Sequence, residues 1–490
     1  MVSEGKTQER VEEKLPDKYT NMGEWYDRVL SEAGIVDIRY GVKGFIVYMP
    51  YGMMIMKRLI ELYEKELEER GHKPVLFPVV IPEENLKKEE EHITGFESEV
   101  FWITKAGHSD LDVKLALRPT SETAMYPIYS LWIKSYKDLP FKAYQTVAVY
   151  RYETKATRPL LRGREFLWIE AHDVFKTREE AVRQTLEDKE IFYKVTYNLL
   201  GIPFIHVKRE EFDKFPGAED TYAFDTLLPD GKVLQIGTTH YLGQKFSRVF
   251  DVKFHDEEGK YKYGEQTCYG IGLSRILAAL LLIHGDRYGL ILPFDVAPIQ
   301  IVIIPIPKKE YDNRKIVDFA KEIENILSEK FRVKLDLSEK TPGEKFYQYD
   351  LLGVPFRIEV GMREVESGEV TLFRRDTRER MKVEIGRLED TINLVKEEMI
   401  SNLRRKAEEY IKSKYIEVDS IDQLKEYNSK GYFLFECNFC DSEECANELK
   451  SITGGFEVRG IFLEKKVGEE AKCIVCGGRA RSRVLVARAY

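Results

Sequence analysis

Residues 146–175, TVAVYRYETKATRPLLRGREFLWIEAHDVF, carry the pattern that decides the fold. Two strand-like runs flank a loop rich in Arg, Lys, Thr and Pro. Because successive strand side chains point to opposite faces, Arg151 and Glu153 share one face of the first strand. One face of the second strand carries two aromatic rings, an acid and an imidazole, at Phe166, Trp168, Glu170 and His172. The segment therefore predicts two strands that present polar and aromatic side chains to a common side.

The opposite face of the second strand is apolar, with Leu167, Ile169 and Ala171. Such a face is typical of the side that packs on a core. The mixed face could either be exposed to solvent or line a pocket. A solvated face has little reason to display Phe and Trp among its charges, so we favour the pocket.

The same segment resembles motif 2 of class II aminoacyl-tRNA synthetases, in which Arg-x-Glu, a variable loop and Arg-x-x-x-Phe follow one another. That family joins a carboxylate to the α-phosphorus of ATP, and fixed guanidinium groups suit the charge that develops. The resemblance places Arg151 between the α-phosphate and the substrate carboxylate and Arg162 on the γ-phosphate. It also implies that Phe166 stacks on adenine and that Glu153 meets the adenine amino group.

Residues 268–286, CYGIGLSRILAALLLIHGD, resemble motif 3 of the same class, where Gly-x-Gly-x-x-Arg enters an apolar helix. Alone, this pattern is more often a tight strand–helix turn. Together with a motif 2 about a hundred residues upstream, it favours the synthetase interpretation. The resemblance implies that Arg275 binds the γ-phosphate from the other side and acts with Arg151 in catalysis. Gln235 and Thr238 complete the expected ATP site.

Three segments resemble prolyl-tRNA synthetases in particular: LRPTSETAMYP at 117–127, RPLLRGREFLWIEAHDVF at 158–175 and QIGTTHYLGQKFS at 235–247. Carboxylates suit the ammonium of proline, an arginine suits its carboxylate, and aromatic rings can wall its apolar ring. Taken singly, several of these side chains could be helix caps or core residues. The proline pocket implied by the resemblance is Thr120, Glu122, Arg151, Trp168, Glu170, His172, Thr238 and His240, with Phe96 nearby.

Only about 100 residues separate Phe166 from Gly270, too few for the editing insertion of many bacterial family members. The chain therefore resembles the archaeal and eukaryotic cytoplasmic type. The resemblance implies two steps, formation of prolyl-adenylate from proline and ATP with Mg²⁺, then transfer to proline tRNA. Another class IIa synthetase, for threonine or histidine, and a non-enzymatic RNA-binding protein are the alternatives. A non-enzymatic RNA-binding protein would be expected to have lost the arginines that bind the phosphates of ATP. Arg151, Arg162 and Arg275 are all present.

The sequence pattern changes near Leu292-Pro293. Beyond it, strand-like and helix-like segments follow one another, which predicts a five-stranded mixed sheet with two or three helices. This region resembles the anticodon-binding domain of class IIa synthetases. Its segment TPGEKFYQYDLLGVPFRIEVGMRE at 341–364 matches the proline enzymes and implies that Asp350, Arg357 and Arg363 read guanines of the anticodon. A solvated charged face on an unrelated domain is the alternative.

Five of the six cysteines lie within residues 437–476, in the pattern Cys-x2-Cys-x4-Cys, then Cys-x2-Cys. Four thiolates in two close pairs suit structural zinc, whereas disulfides or free thiols are the alternative. The family pattern selects Cys440, Cys445, Cys473 and Cys476 as the ligands. Spacing alone leaves open that Cys437 replaces one of them.

Length and composition frame these expectations. A chain of 490 residues predicts two to four domains, and the net charge of −8 restricts RNA contacts to local basic patches. With no apolar run of membrane-spanning length and no signal-like start, we expect a cytoplasmic protein without a membrane span. We expect an α+β fold with a class II antiparallel-sheet catalytic domain at 1–292, an α/β anticodon-binding domain at 293–390 and a small zinc-bearing α+β domain at 391–490. The family's loosely defined motif 1, a helix at 53–70 and a strand at 75–81, implies a homodimer.

Overall fold

The computed structural model describes residues 14–88, 99–307 and 313–490. Its α-helices are α1 Met22–Glu32, α2 Pro50–Glu69, α3 Glu83–Lys87, α4 Glu122–Trp132, α5 Arg178–Phe192, α6 Lys245–Val249, α7 Leu273–His284, α8 Asn313–Ser328, α9 Pro342–Leu351, α10 Met362–Ser367, α11 Leu388–Ser413, α12 Ile421–Ser429 and α13 Glu443–Ile452. Short 3₁₀ turns at Tyr136–Asp138 and Ile385–Arg387 and a π-helical extension of α5 at Tyr193–Leu199 complete the helical segments.

The strands of the first 292 residues are β1 Val36–Asp37, β2 Val47–Tyr48, β3 Lys73–Pro74, β4 Val80–Pro82, β5 Trp102–Ala106, β6 Ser109–Leu117, β7 Phe141–Tyr150, β8 Glu165–Phe175, β9 Ile205–Lys208, β10 Asp220–Leu227, β11 Lys232–Gly243, β12 Lys253–His255, β13 Tyr261–Tyr263 and β14 Glu265–Ile271. The strands that follow are β15 Ile301–Pro305, β16 Val333–Leu335, β17 Phe356–Val360, β18 Glu369–Arg374, β19 Arg380–Glu384, β20 Tyr415–Glu417, β21 Leu434–Phe439, β22 Glu457–Ile461 and β23 Ser482–Ala489.

One large sheet organises the molecule, in the order β20-β21-β23-β22-β9-β10-β11-β14-β8-β7-β3. From β9 to β7 every neighbouring pair is antiparallel, and β3 joins the edge in parallel. This confirms the predicted α+β class with an antiparallel catalytic sheet.

The quoted segment forms β7, a loop and β8, paired from Phe141 opposite Val174 to Tyr150 opposite Glu165. Strand β7 ends at Tyr150, so Arg151 and Glu153 lie just beyond the strand rather than within it. The pairing of β8 with β14, and of β14 with β11, aligns Glu170, Gly270 and Thr238 in one row across the sheet.

The apolar face of β8 packs on the main core, as its alternation predicts. Ile169 and Ala171 are buried in a cluster that includes Ile276 and Leu280 of α7, and Leu167 packs at the edge of this cluster. Helix α7 starts directly after β14, with Gly272 at its N-cap. A Cβ on Gly272 would come within 3.1 Å of the carbonyl oxygen of Ile236, which explains why the turn there contains glycine.

Residues 301–384 form the predicted five-stranded mixed sheet, in the order β16-β15-β17-β18-β19. Helix α8 packs Ile316, Ala320 and Ile323 against it within a separate core cluster. Helix α9 begins at a capping box, because the Thr341 hydroxyl accepts from the backbone N–H of Glu344 and the Glu344 carboxylate accepts from that of Thr341.

The C-terminal strands extend the catalytic sheet. Strand β22 pairs with β9 at Ile461 and Lys208, and β23 lies parallel to β11 with Arg488 opposite Lys232. The region after α11 therefore shares its hydrogen-bonded sheet with the catalytic region.

Two expected elements differ in extent. The predicted strand at 75–81 is wrong as a continuous element, because β3 ends at Pro74 and β4 begins at Val80. The predicted helix at 53–70 begins three residues earlier, at Pro50, because proline fits the first turn of a helix. Within the described ranges, no helix combines the length and apolar character that a membrane crossing needs.

Candidate active site

Two adjoining cavities lie over β8, β11 and β14. The first has a volume of about 200 Å³ and the second of about 330 Å³. Both are lined by Arg151, Trp168, Gln235, Thr238 and Gly270, so they form one cleft with two compartments. We name the first the nucleotide compartment, after the ATP that the sequence leads us to expect there; it is also lined by Glu153, Arg162, Phe166 and Arg275. We name the second the proline compartment, after the amino acid expected there; it is also lined by Thr120, Glu122, Glu170, His240 and Cys268.

Three arginines from two distant stretches of chain meet in the nucleotide compartment. The Nε of Arg151 donates to the carbonyl of Pro119 at 3.1 Å, and its guanidinium lies 5.4 Å from the ring centre of Trp168. Arg275 donates to the carbonyls of Leu161 and Gln235, each at 3.0 Å. These bonds to the backbone hold the guanidinium groups in place without neutralising their charge.

The third arginine, Arg162, lies 3.7 Å from the Glu153 carboxylate, and both side chains are one-fifth exposed. Burial, followed by repulsion from Arg151 and Arg162, lowers the pKa of Arg275 to about 10. Burial also lowers the pKa of Arg151, although Glu99 and Glu122 oppose the shift. A cluster of cations that destabilise one another is suited to a ligand with several negative charges.

The proline compartment is built around buried carboxylates. Glu122, the first residue of α4, accepts from the Thr120 hydroxyl and from the Cys268 thiol, the latter at 3.3 Å. Glu170 accepts from Ser121 and, at 2.8 Å, from the Gln145 amide. Both carboxylates are fully buried. Buried carboxylates that are already hydrogen-bonded favour a cationic ligand.

His172 lies behind Glu170 and does not line the cleft, which differs from the expectation that its ring walls the pocket. Its Nε2 lies 3.1 Å from Glu170 and its Nδ1 lies 3.0 Å from the Tyr126 hydroxyl. Burial lowers the pKa of His172, but the hydrogen bond to Glu170 and the neighbouring carboxylates outweigh it and raise the pKa. Although His172, Glu122 and Cys268 place ligand atoms within 4.8 Å of one another, both imidazole nitrogens are engaged, and we assign no metal there.

His240 contributes a neutral imidazole to the proline compartment. Its two nitrogens each lie 3.0 Å from a threonine hydroxyl, of Thr221 and Thr238. Burial lowers the pKa of His240 to about 3. The ring stacks at a tilt on Phe215, with centroids 4.6 Å apart. The remaining predicted pocket residue, Phe96, lies outside the described residues.

The structure adds residues that motif analysis did not identify. Ser121 and Gln145 hold Glu170, Cys268 holds Glu122, and Arg209 donates to the Gln235 side chain at 2.7 Å. Cys268 could have been found from sequence, because it is two residues before Gly270 and therefore faces the same side of β14. The other contacts depend on strand pairing that no local pattern reveals.

The three predicted anticodon residues fall into two groups. Asp350 and Arg357 are buried and paired at 3.0 Å, and Arg357 lies between the rings of Phe346 and Phe373 at 4.0 and 3.9 Å. Asp350 also accepts from Arg378 at 2.9 Å. Arg363 is exposed on α10. The structure therefore brings Asp350 and Arg357 together as one unit, with Arg363 on the surface beyond β17.

The four cysteines chosen from the family pattern converge. Their sulfur atoms all lie within 4.8 Å of one another, and those of Cys440 and Cys476 are 4.0 Å apart. A tetrahedron with Zn–S bonds of about 2.3 Å has edges of about 3.8 Å, so the donor set fits zinc. Cys437 is buried in the neighbouring core and is not part of this group.

Comparison with known proteins gives consistent matches along the chain. Family models match for the tRNA synthetase class II core domain (G, H, P, S and T) at residues 101–284, the anticodon binding domain at 300–395 and the prolyl-tRNA synthetase C-terminal domain at 421–490. The chain is 51% identical over 475 residues to the proline–tRNA ligase of Thermofilum pendens, covering 96% of this chain and 98% of that protein. It is 47% identical to the proline–tRNA ligase of Methanopyrus kandleri, covering 95% and 96%. The structure of Giardia lamblia prolyl-tRNA synthetase in complex with prolyl-adenylate matches with a TM-score of 0.92 and 35% identity, covering 97% of this chain and 100% of that one.

Proposed function

The chain belongs to the prolyl-tRNA synthetases, the class II proline–tRNA ligases, and on that basis we propose how its residues act. The protein attaches L-proline to its cognate tRNA in an ATP-dependent reaction that proceeds through prolyl-adenylate. One observation supports the assignment of residues. The cation-lined nucleotide compartment opens directly into a compartment lined by buried carboxylates, and Arg151 lines both.

In the first step, a carboxylate oxygen of proline attacks the α-phosphorus of ATP and the bond to the bridging oxygen breaks, so that pyrophosphate leaves. Arg151 holds the proline carboxylate and the α-phosphate together and stabilises the charge on five-coordinate phosphorus. Arg162 and Arg275 hold the γ-phosphate of a bent triphosphate, Phe166 stacks on adenine and Glu153 accepts from its amino group. Gln235 contacts the ribose of ATP, and Thr238 also contacts the nucleotide; both side chains come from β11.

Proline is held by its charges and its ring. Glu122 and Glu170 face the secondary ammonium, and Thr120, Thr238 and His240 provide neutral polar contacts. Trp168 walls the ring, with Phe96 as a further proposed contact. His172 fixes the orientation of Glu170 from behind. In the second step, the terminal ribose 3′-hydroxyl of the tRNA attacks the carbonyl carbon of prolyl-adenylate, and AMP leaves.

Two metals complete the proposal. Mg²⁺ accompanies the triphosphate and supplies charge neutralisation there. Cys440, Cys445, Cys473 and Cys476 would hold Zn²⁺, and because four thiolates leave no open position, its contribution would be structural.

On the tRNA side, Asp350, Arg357 and Arg363 are proposed to read anticodon guanines. Arg donates two hydrogen bonds to guanine O6 and N7, and a carboxylate accepts from N1 and N2. Arg363 is exposed on α10, and Asp350 and Arg357 are already paired with each other before any RNA binds, with Arg378 also bonded to Asp350.

A homodimer is proposed from the surface near the first helices. Ile38 just after β1, Val47 on β2, Met54 on α2 and Leu76 after β3 are 65%, 44%, 48% and 80% exposed. Large exposed apolar side chains in these segments favour a protein interface. The working location is proposed to be the cytoplasm, where proline tRNA is used in translation.

Amino-acid-dependent ATP–pyrophosphate exchange, measured with each of the twenty amino acids, tests the activity. We expect exchange with proline alone at low substrate concentration. Exchange that depends on threonine or histidine instead would assign the chain to another class IIa specificity, and no exchange with any amino acid would support the RNA-binding alternative.

A further inference from the structure

A buried charge network crosses from the C-terminal region into the cleft. Asp225 on β10 is fully buried between two guanidinium groups. Its Oδ1 accepts from Arg209 Nη2 at 3.0 Å, and its Oδ2 accepts from Arg459 Nε at 3.0 Å. Arg459 belongs to β22 and also bonds Glu457 at 2.9 Å. Because a buried carboxylate between two arginines has few alternative rotamers, the three side chains fix one another.

The network ends on the side chain of Gln235. Arg209 Nη2 donates to Gln235 Oε1 at 2.7 Å, and Arg209 Nη1 donates to the main-chain carbonyl of Arg459. The backbone carbonyl of Gln235 accepts from Arg275 at 3.0 Å. A glutamine amide can rotate by half a turn and exchange its acceptor for its donors. With Arg209 on Oε1, the amide NH₂ is the end that can donate to a ligand.

The backbone supports the same connection. Val233, two residues before Gln235, pairs with Ala489 of β23, and its carbonyl accepts from the N–H of Tyr490 at 3.0 Å. Arg209 and Arg459 line the proline compartment, and Gln235, which they hold, lines both compartments of the cleft. The C-terminal region therefore touches the site through both a strand and a side chain.

We propose that Arg459 and Arg209 are positioning residues that turn the Gln235 amide toward the ribose of ATP, so that the C-terminal region forms part of the nucleotide site. This inference rests on the proposed contact of Gln235 with the ribose. Arg459 acts through Asp225 and Arg209, and neither arginine needs to touch the nucleotide.

The test compares ATP with 2′-deoxy-ATP and 3′-deoxy-ATP in proline-dependent pyrophosphate exchange. In Arg459→Met, we expect KM for ATP to rise about tenfold, the scale seen when an outer partner of a metal ligand is removed. KM for at least one deoxy analogue should rise much less, because that analogue lacks the ribose hydroxyl that the Gln235 amide would bind. Arg459→Lys, which keeps a cation opposite Asp225, should recover part of the effect.

Arg483→Met is the matched control. Arg483 lies in the same region, on β23, and bonds Glu436 at 2.7 Å and Glu417 at 2.8 Å, away from Gln235. We expect its preference for ATP over the deoxy analogues to equal that of the parent. If the preference of Arg459→Met for ATP over the deoxy analogues equals that of the parent, the inference is overturned. If Arg459→Met does not fold, Arg459→Gln is measured in its place, and the same result overturns the inference.

Gln235→Ala separates this inference from the proposed function. If Gln235→Ala loses the preference for ATP and the Arg459 variants keep it, Gln235 binds the ribose but Arg459 does not position it. If Gln235→Ala keeps the preference, the ribose contact itself is wrong and the positioning inference fails with it.

Discussion

The two compartments of the cleft differ in how completely they are formed before any ligand binds. In the proline compartment, Glu122 and Glu170 are fully buried, and protein groups contact all four of their carboxylate oxygens. In the nucleotide compartment, Arg162 and Glu153 are partly exposed, and repulsion among the arginines contributes to the lowered pKa of Arg275. A small zwitterion with few distinguishing groups is best selected by a rigid pocket. The negative charges of a nucleotide can offset the repulsion among the arginines, so this compartment need not be fully formed before the ligand binds.

The largest effect is expected where the two compartments meet. Arg151→Ala should lower the rate of proline-dependent pyrophosphate exchange by about 10³-fold, because one guanidinium serves both substrates and the developing charge. Arg158→Ala is the control, since Arg158 lies in the same loop but pairs with Asp27 at 3.3 Å on the surface. Equal rates for Arg151→Ala and the parent would remove Arg151 from the mechanism.

The next effect isolates the proline compartment. Glu122→Gln keeps the shape of the side chain but removes the charge that faces the ammonium. A charged hydrogen bond contributes about 1.5–3 kcal/mol, so KM for proline should rise roughly 10–150-fold while KM for ATP stays the same. A parallel rise in both constants would show that the compartments are not separable.

A smaller effect is expected in the nucleotide compartment. Arg162→Ala should raise KM for ATP about tenfold, as expected for one hydrogen-bonded charge on a phosphate. The unfolding midpoint should not change, because the ion pair with Glu153 is long at 3.7 Å and partly exposed. A large loss of thermal stability would mean that Arg162 is structural and would weaken the contrast between the compartments.

The smallest effect concerns acid stability of the proline compartment. His240 has a pKa of about 3 when folded and an ordinary value near 6.5 when unfolded. Its contribution to stability is therefore present above pH 6.5 and is lost as the pH falls toward 3. Between pH 7 and pH 5.5, the free energy of unfolding measured by denaturant titration should fall by about 1 kcal/mol more for the parent than for His240→Gln. Identical pH dependence in the two proteins would contradict a neutral buried His240.

Local patterns in the sequence predicted that Arg151, Arg162, Phe166 and Arg275 lie close together, and these residues line one compartment of the cleft. The alternation along residues 166–171 largely holds, because strand periodicity is a property of the backbone: Phe166 and Trp168 line the cleft, Ile169 and Ala171 lie in the core, and Leu167 touches both. The same rule explains Cys437, which shares one face of β21 with Phe435 and Phe439. It packs with them in the core cluster that also contains Cys445 and Cys473, and it is not part of the four-cysteine group.

Other parts of the site could not be predicted because they join distant residues. Asp225 meets Arg459 across 234 positions, and neither residue belongs to a recognisable motif. The place of His172 behind Glu170 depends on α4, which brings Tyr126 against the imidazole. Asp350 and Arg357 were identified as a charged set, but their burial depends on the packing of Phe346 and Phe373.

The shared sheet has a consequence for the timing of synthesis. The pairing of β9 with β22 joins Lys208 to Ile461, about 250 positions further along the chain. At roughly 5–20 residues per second, a ribosome needs about 10–50 s to cover that distance. During this interval the β9 edge of the nascent sheet lacks its partner strand, and an open edge can pair with other chains. Assembly of this tRNA-charging site is therefore a late event in translation, and slower elongation would prolong the period in which the growing chain can aggregate.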